Sequence, residues 1–233
     1  MKKPYVKKFS KISNFIVWIV DGKYIRENID EEFTNYGDHY HFSFIPKDEF
    51  WIDKERVPGE EKYYIESMLV MSKLISKGVS RERAIDAADN AEKHERAKSR
   101  LMKKEIEIRR DKKELLKLIH KNLLKKYSSK NLNIWFVNGE AVRNLFFLDF
   151  TEGGHGYVYN FVPKNEIWID DDLEPDEVKF VLLHELHERR LMAKGKKYDP
   201  AHKSSSDIEY WCRKHPEKLD NNLKKQIKKN NTV

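Results

Sequence analysis

Apolar residues along the chain form short runs that occur twice in the same order. A run at 15–20 and a run at 132–137 are each followed by a turn dipeptide, Asp-Gly at 21–22 and Asn-Gly at 138–139. Such dipeptides between apolar runs are typical of β-hairpins, because their residues tolerate the positive φ that these turns require. We therefore expect each apolar run to be the first strand of a hairpin.

Two further strands are predicted downstream in each half. Apolar and polar residues alternate in Tyr40–Ile45 and in Tyr157–Val162, the period expected of a half-buried strand. A Pro-Lys turn separates each of them from a short apolar segment, Glu49–Asp53 or Glu166–Asp170, which is the predicted last strand. Together these segments predict a small antiparallel sheet in each half.

Helices are predicted to follow the strands. Pro175 suits the first turn of a helix that should run to about Lys194 and stop at Gly195. A second helix is expected from Asp199-Pro200, where the aspartate can cap it. The expected fold class is therefore α+β, with two helices packed on one face of a small sheet.

The two halves are related by a shift of 117 positions, the distance from Trp18 to Trp135. Roughly two dozen identities fall within about 83 compared positions, where random composition would give about five. We interpret this as a tandem duplication of one small domain. The predicted segments are a degenerate first repeat at 10–97, a basic connector at 98–130, a second repeat at 131–217 and a basic tail at 218–233.

The net charge of +7 is concentrated in the connector. Residues 98–130 contain 13 Lys or Arg and 4 Asp or Glu, so this segment is more positive than the whole chain. We expect it to be a long helix, continuous with one that starts near Arg81 and reaching about Tyr127. Lysine-rich helices are usually solvated surfaces, and the alternative is a contact with nucleic acid.

Cys212 is the single cysteine, which excludes an internal disulfide and a zinc site built from several cysteines. No apolar run approaches the roughly 18 residues of a membrane span. The N-terminal run FIVWIV is short for a signal peptide, and no small-residue cleavage site follows it. We expect a cytoplasmic protein with no membrane partner.

The sequence HELHE at 184–188 is the strongest candidate for chemistry. His184 and Glu188 are four residues apart, on one face of the predicted helix, so both can bind one metal ion. This is the spacing of the HExxH zinc motif with the second histidine replaced by glutamate. His202 in the next helix is the expected third ligand, and Glu185 is the expected catalytic base. Zn²⁺ is the expected cofactor, although such ligands also suit Mn, Fe, Co or Ni.

Three other residues are candidate accessories to this site. His187 is a ligand in place of Glu188, a neighbour of the ligands, or a surface residue. His155 lies in a glycine-rich turn, where a surface position is favoured over a substrate contact or an extra ligand. Glu209 either orients His202 through its free ring nitrogen or is structural, since Glu92 has the same place in the first half.

The first half lacks the candidate groups. The residues that replace the three ligands and the base there are, in order, Ser67, Met71, Ile85 and Met68. A solvated helix face would not exchange polar for apolar residues as a set. The candidate groups of the second half are therefore expected to be sheltered, which requires a metal or a dense hydrogen-bond network.

The segment DFTEGGHGYVYNFVPKNEIWID, followed by LLHELHERRLMAKG and YDPAH, resembles short phage and microbial proteins with an HExxE helix and a downstream Ala-His. These proteins are similar to minimal zincin-type metallopeptidases. The resemblance covers most of residues 132–210 and, more weakly, 15–93. It implies that His184, Glu188 and His202 hold zinc and that Glu185 is catalytic. The glutamate at 188 departs from the best-known zincins, which have a second histidine there.

The first hypothesis is a zinc-dependent hydrolase, a minimal peptidase acting on a peptide or protein, with its active site in the second repeat alone. The alternative is a non-enzymatic binding protein with a structural metal and a connector that contacts nucleic acid or an acidic protein. A third interpretation is a two-domain interaction module without a metal. An open coordination position favours the first, and four protein ligands favour the second.

Overall fold

The computed structural model of the chain describes residues 3–56, 58–99, 102–103, 106 and 112–232. They fall into two compact units. The first unit comprises Met1–Arg110 with Arg143–Leu148, and the second comprises Asp111–Val142 with Asp149–Val233. Each unit contains one four-stranded sheet with helices, so the α+β class is confirmed. Within the described residues, no helix combines the length and the apolar character needed to cross a membrane.

The described residues in the N-terminal part of the first unit form four strands and three helices bounded as follows. In chain order these are β1 (Tyr5–Ile12), β2 (Phe15–Val20), α1 (Gly22–Asn28), β3 (Tyr36–Gly37), β4 (Glu49–Asp53), α2 (Glu61–Ser76) and α3 (Arg81–Ala97). The strand order in the sheet is β1-β2-β4-β3. The core on the helix side packs Phe50 and Ile52 of β4 against Tyr64 and Met68 of α2.

The second unit contains the same strand order, β5-β6-β8-β7. The elements of this part of the chain are α4 (Lys112–Ile119), β5 (His120–Leu123), β6 (Asn133–Val137), α5 (Gly139–Leu145), β7 (Gly153–His155), β8 (Glu166–Asp170), α6 (Val178–Ala193), α7 (Tyr198–Lys214), a 3-10 turn (Pro216–Lys218) and α8 (Leu219–Asn230). The last residues of α5, from Arg143, belong to the first unit. The core packs Ile167 and Ile169 of β8 against Leu182 and Leu186 of α6.

Both sheets are mixed, so the predicted antiparallel sheet is wrong. β2 pairs with β4 in parallel, with Trp18 opposite Trp51, and the outer strands pair antiparallel. β6 and β8 pair in parallel in the same way, with Trp135 opposite Trp168. The parallel arrangement follows from the connection, because the chain leaves β2 or β6 through a helix and crosses over before it returns.

The predicted hairpins at 21–22 and 138–139 are also wrong, because each dipeptide begins a helix instead of a two-residue turn. The Asp21 side chain accepts a hydrogen bond from the amide of Tyr24 (3.4 Å), and Asn138 accepts one from Ala141 (3.1 Å). These are N-cap contacts. The glycine that follows is required by close packing, since a Cβ at Gly22 would overlap the carboxylate of a distant residue, Asp53.

The segments Tyr40–Ile45 and Tyr157–Val162, predicted as strands, are turns. The amide of Phe42 donates to the carbonyl of Asp38 (2.9 Å), and that of Tyr159 donates to His155 (3.0 Å), so the backbone coils locally. Phe42 and Phe44 pack against the core from the first turn, and Tyr159 and Phe161 contact Phe150 and Trp168 from the second. Alternating residues of a turn can thus show the period of a strand without its backbone. The last strands at 49–53 and 166–170 are confirmed.

The predicted helices of the second half are confirmed over most of their length. α6 ends at Ala193, and Gly195 has a positive φ of +88° that reverses the chain into α7. The predicted tail at 218–233 instead contains α8, whose Leu219 and Leu223 are buried against α6.

The predicted connector helix does not reach Tyr127, because His120–Leu123 is strand β5 and pairs with β6. Strand pairing absorbs these residues into the second sheet, and sequence alone gave no signal for it. Residues 100–101, 104–105 and 107–111 of the connector lie outside the described residues, so its predicted contact with nucleic acid stays a prediction.

A buried ion network lies in the first unit. Glu60 is fully buried and accepts hydrogen bonds from Arg96 (2.7 Å) and Arg143 (2.5 and 3.0 Å). Arg96 also binds Glu92, four residues away on α3 (2.9 Å). Burial opposes ionisation of Glu60, but the two guanidinium groups hold the pKa of its carboxyl below its ordinary value.

Replacing Glu60 by Gln should destabilise the first unit by about 3–5 kcal/mol, because it leaves two buried guanidinium groups without their anion. The depressed pKa gives the wild type stability that is fully present above about pH 4.3 and lost as the pH falls below it. Urea unfolding, monitored by hydrogen exchange of the backbone amides of residues 5–97, measures the loss of stability and its dependence on pH. Glu95→Gln, which breaks an exposed ion pair with Lys98, is the control and should change neither. Equal stability of Glu60→Gln and wild type at pH 7 would contradict the network.

Candidate metal centre

The candidate ligands come from two antiparallel helices and one strand end. His184 and Glu188 lie one turn apart on α6, and His202 lies on α7, which the Gly195 reversal brings back alongside α6. His155 ends strand β7, at the edge of the second sheet. All of these positions lie within the second unit.

Three ligand atoms meet at one point. His184 Nε2 lies 3.2 Å from His202 Nδ1, His202 Nδ1 lies 3.1 Å from Glu188 Oε1, and His184 Nε2 lies 3.9 Å from Glu188 Oε1. Ligands about 2.0–2.1 Å from a tetrahedral zinc are separated by roughly 3.3 Å from one another. Two of the three separations are close to this value and the third is longer, so the three predicted ligands converge on one point.

The proton of His184 is placed by Glu209. His184 Nδ1 lies 3.0 Å from Glu209 Oε2, a distance at which the ring N–H donates to the carboxylate. In the neutral ring, the form that binds a metal, Nε2 then carries the lone pair and faces the other two candidate ligands. Burial works against protonation, but the hydrogen bond and charge of Glu209 raise the pKa of His184 to about 9. The prediction that Glu209 orients His202 is wrong, because its partner is the other histidine.

Glu209 is itself held by an arginine that sequence reasoning missed. Arg213 donates to Glu209 Oε1 (3.1 and 2.8 Å) and to the fully buried Glu177 (3.1 and 2.8 Å). Burial alone would raise the pKa of Glu209, but His184 and Arg213 lower it to about 2. The available signal was the match of Glu177, Glu209 and Arg213 with Glu60, Glu92 and Arg96 at the shift of 117.

Glu185 is a buried carboxyl beside the ligands. Its side chain is 8% exposed, and its Oε2 has no hydrogen-bond partner among the described residues. Burial and the charge of Glu188 raise its pKa above the ordinary value. Gly153 makes room for it, since a Cβ there would lie 3.3 Å from Glu185 Cγ and 3.1 Å from the carbonyl oxygen of Trp168.

His155 is fully buried, so the predicted surface position is wrong. Its Nε2 lies 3.1 Å from Glu188 Oε2, and its Nδ1 accepts a hydrogen bond from the Tyr157 amide (3.2 Å). Burial lowers its pKa. The glycine-rich sequence around it gave the impression of an exposed turn, but the segment is an edge strand under α6.

His187 does not join the ligands. Its Nε2 lies 3.0 Å from Ser204 Oγ, and its Nδ1 accepts a hydrogen bond from the Gln226 side-chain amide (2.8 Å). Burial and the charge of Arg190 lower its pKa to about 4. Both ring nitrogens are engaged in packing α6 against α7 and α8, so the prediction that it replaces Glu188 as a ligand is wrong.

In the first unit, a tyrosine lies at the position that Gly153 has in the second unit. Tyr36, which corresponds to Gly153, places its hydroxyl 3.3 Å from Ser67 Oγ and 3.3 Å from Glu92 Oε2. Its ring stacks on Tyr64 at 4.5 Å. The phenol thus contacts Glu92 in the first unit as the His184 imidazole contacts Glu209 in the second.

The ligand set opens toward solvent at His202, whose side chain is 33% exposed. The other ligands are more sheltered, with 13% exposure for His184 and 4% for Glu188. Tyr198 stacks on the His202 ring at 5.3 Å and is itself exposed. His202 is therefore the candidate ligand with the greatest contact with solvent.

No protein-family model matches the sequence, and comparison with curated proteins and with solved structures finds no match to either.

In metal-free protein, His184 should titrate near pH 9, and Glu209→Gln should lower that midpoint towards or below about 6.5, because burial then dominates. Removing the anion leaves the imidazolium without its stabilising partner, so the neutral ring is favoured over a wider pH range. NMR of labelled imidazoles measures the midpoint. Glu92→Gln removes the matching carboxylate in the first unit and should leave it unchanged. An unshifted midpoint in Glu209→Gln would contradict the assigned hydrogen bond.

Proposed function

We propose that the second unit binds one divalent zinc ion through His184, Glu188 and His202 and that the protein is a zinc-dependent hydrolase of peptide bonds. The observation that carries the proposal is the convergence of the three ligand atoms at 3.1–3.9 Å beside an unpartnered buried carboxyl. The resemblance to minimal zincin-type metallopeptidases leads to the same assignment.

The donor set suits a metal ion, which would take the place of the protons between the ligand atoms. Two ring nitrogens facing each other at 3.2 Å need a proton or a cation between them. In the metal-free protein the raised pKa of His184 keeps a proton on its Nε2, and a bound cation would displace that proton while Nδ1–H stays on Glu209. A cation would satisfy both rings and the Glu188 charge, and it would remove the cost of burying that carboxylate.

Two imidazoles and one carboxylate would be the three protein ligands, a set found in catalytic zinc sites. Bound zinc would supply a lowered water pKa and a polarised carbonyl. Glu185 is the proposed base, which would take the proton of the attacking water and return it to the leaving amine. Glu209 and Arg213 hold His184 in the tautomer that binds, and the exposed side of His202 admits the substrate.

The duplication is part of this proposal. It is supported by the 117-residue shift, by the common strand order and by the parallel strand pairs that place Trp18 opposite Trp51 and Trp135 opposite Trp168. In this account the first repeat kept the Glu-Arg-Glu network and lost the ligands, and Tyr36 filled the space. The connector remains the proposed contact for nucleic acid or an acidic protein under the alternative, non-enzymatic function.

Purified protein supplied with zinc should contain one zinc ion per chain, and His184→Ala should bind it roughly 100-fold more weakly. The estimate follows from apparent zinc binding energies of about 10–16 kcal/mol shared among four ligands. Competition with a chelator measures the affinity, and elemental analysis identifies the metal. His187→Ala, on the same helix, is the control and should bind zinc as the wild type does. Equal affinities of wild type and His184→Ala would remove the proposed ligand set.

Glu185→Gln should keep zinc and lose hydrolysis of quenched fluorescent peptides by about 10²–10⁴-fold, because the amide cannot accept the proton of water. Glu95→Gln, the same substitution at an exposed carboxylate of the first unit, is the control and should not reduce activity. A wild-type protein that holds zinc but cleaves no peptide of a fluorescent library would favour the alternative of a structural metal. An active Glu185→Gln variant would contradict the role of Glu185 as the base.

A further inference from the structure

The two oxygens of Glu188 face different partners. Oε1 lies 3.1 Å from His202 Nδ1 and 3.9 Å from His184 Nε2. Oε2 lies 3.1 Å from His155 Nε2, on the side of the sheet. His155 is fully buried and so is out of reach of a substrate. The site residue that it faces at hydrogen-bond distance is Glu188.

The backbone decides where His155 carries its proton. The Tyr157 amide donates to Nδ1 of His155 (3.2 Å), so that nitrogen bears the lone pair. In the neutral ring the proton is then on Nε2, which faces Glu188 Oε2. The ring N–H is not aligned on the oxygen, and Nε2 has no other hydrogen-bond partner among the described residues. The two atoms are nevertheless within hydrogen-bond distance of each other.

The first unit shows what the local turn itself requires. Asp38 takes the place of His155, and its Oδ1 accepts a hydrogen bond from the Tyr40 amide (2.8 Å). The turn thus needs an acceptor for the amide two residues on, in both units. The position of Glu188 is held there by Met71, which carries no charge. Asp38 offers only acceptor atoms, whereas His155 also has a nitrogen that can donate. That donor is present in the unit where the Glu188 carboxylate can accept its hydrogen bond.

We propose that His155 is a positioning residue whose Nε2–H holds Oε2 of Glu188, so that Oε1 alone faces the two ligand histidines. The inference rests on the proposed metal site and deepens it. Glu188 would then be a monodentate ligand. His155 of β7 would hold its orientation, as Glu209 of α7 holds that of His184. Both ligands of α6 then have a hydrogen-bond partner on the side away from the metal.

A second ion held by His155, Glu185 and Glu188 is the competing assignment, since their ligand atoms lie within 4.8 Å of one another. That ion would need the lone pair of His155 Nε2. The proton would have to move to Nδ1, where it would face the Tyr157 N–H at 3.2 Å. Two donors cannot satisfy each other, so the geometry favours His155 as a donor.

The test compares His155→Asn with His155→Gln, using zinc affinity and the visible spectrum of the cobalt-substituted protein. Asn keeps an acceptor for the Tyr157 amide but is too short to reach Glu188. It should weaken zinc binding by about 10–100-fold and change the cobalt spectrum, because Glu188 is no longer held. Gln places an amide N–H near the former Nε2 position and should recover affinity to within about 10-fold of the wild type. Asp38→Asn in the first unit is the matched control and should change nothing.

Wild-type affinity and an unchanged spectrum in His155→Asn would overturn the positioning role while leaving the metal site standing. A loss in His155→Gln as large as in His155→Asn would do the same, since it would point to packing instead of the donor. Two zinc ions per wild-type chain would overturn it in favour of the competing assignment. A wild type that binds no zinc would overturn it together with the proposed function.

Discussion

The second unit depends on how charged groups satisfy one another between α6, α7 and β7, where little water can reach them. Glu188, Glu185 and Glu177 are nearly or fully buried, and ionised carboxylates in that position are costly unless each has a partner. Glu177 has Arg213, and Glu209 has both Arg213 and His184. Glu188 has histidines on either side. His184 and Glu188 of α6 thus each have a partner on the side away from the other candidate ligands. The candidate ligand atoms that face one another are the ones that a cation would satisfy.

The same Glu-Arg-Glu arrangement occurs in the first unit, where its last glutamate has a different partner. Glu60, Arg96 and Glu92 repeat the pairing of Glu177, Arg213 and Glu209. The last glutamate meets a tyrosine hydroxyl in one unit and an imidazole in the other. The ion network therefore occurs in both units, and the units differ in the residues that face it.

Sequence was sufficient to bring the three candidate ligands together and insufficient to predict the residues around them. Helical spacing placed His184 and Glu188 on one face, and the glycine at 195 placed His202 opposite them, because both signals are local. Asp-Gly at 21–22 misled the strand prediction, since an aspartate before a glycine suits a hairpin and a helix N-cap equally. The choice is made by a distant residue, Asp53, which accepts the Gly22 amide (3.0 Å). His155 was misjudged for the same reason, because its burial depends on α6 packing over the sheet.

The most direct test of the metal centre is X-ray absorption at the zinc edge on the wild-type protein loaded with one zinc ion. The account predicts two histidine imidazoles and oxygen ligands at about 2.0–2.2 Å in a four-coordinate site. A zinc ion surrounded only by oxygen, or bound to sulfur from Cys212, would show that His184 and His202 do not meet at a metal and would contradict the central claim.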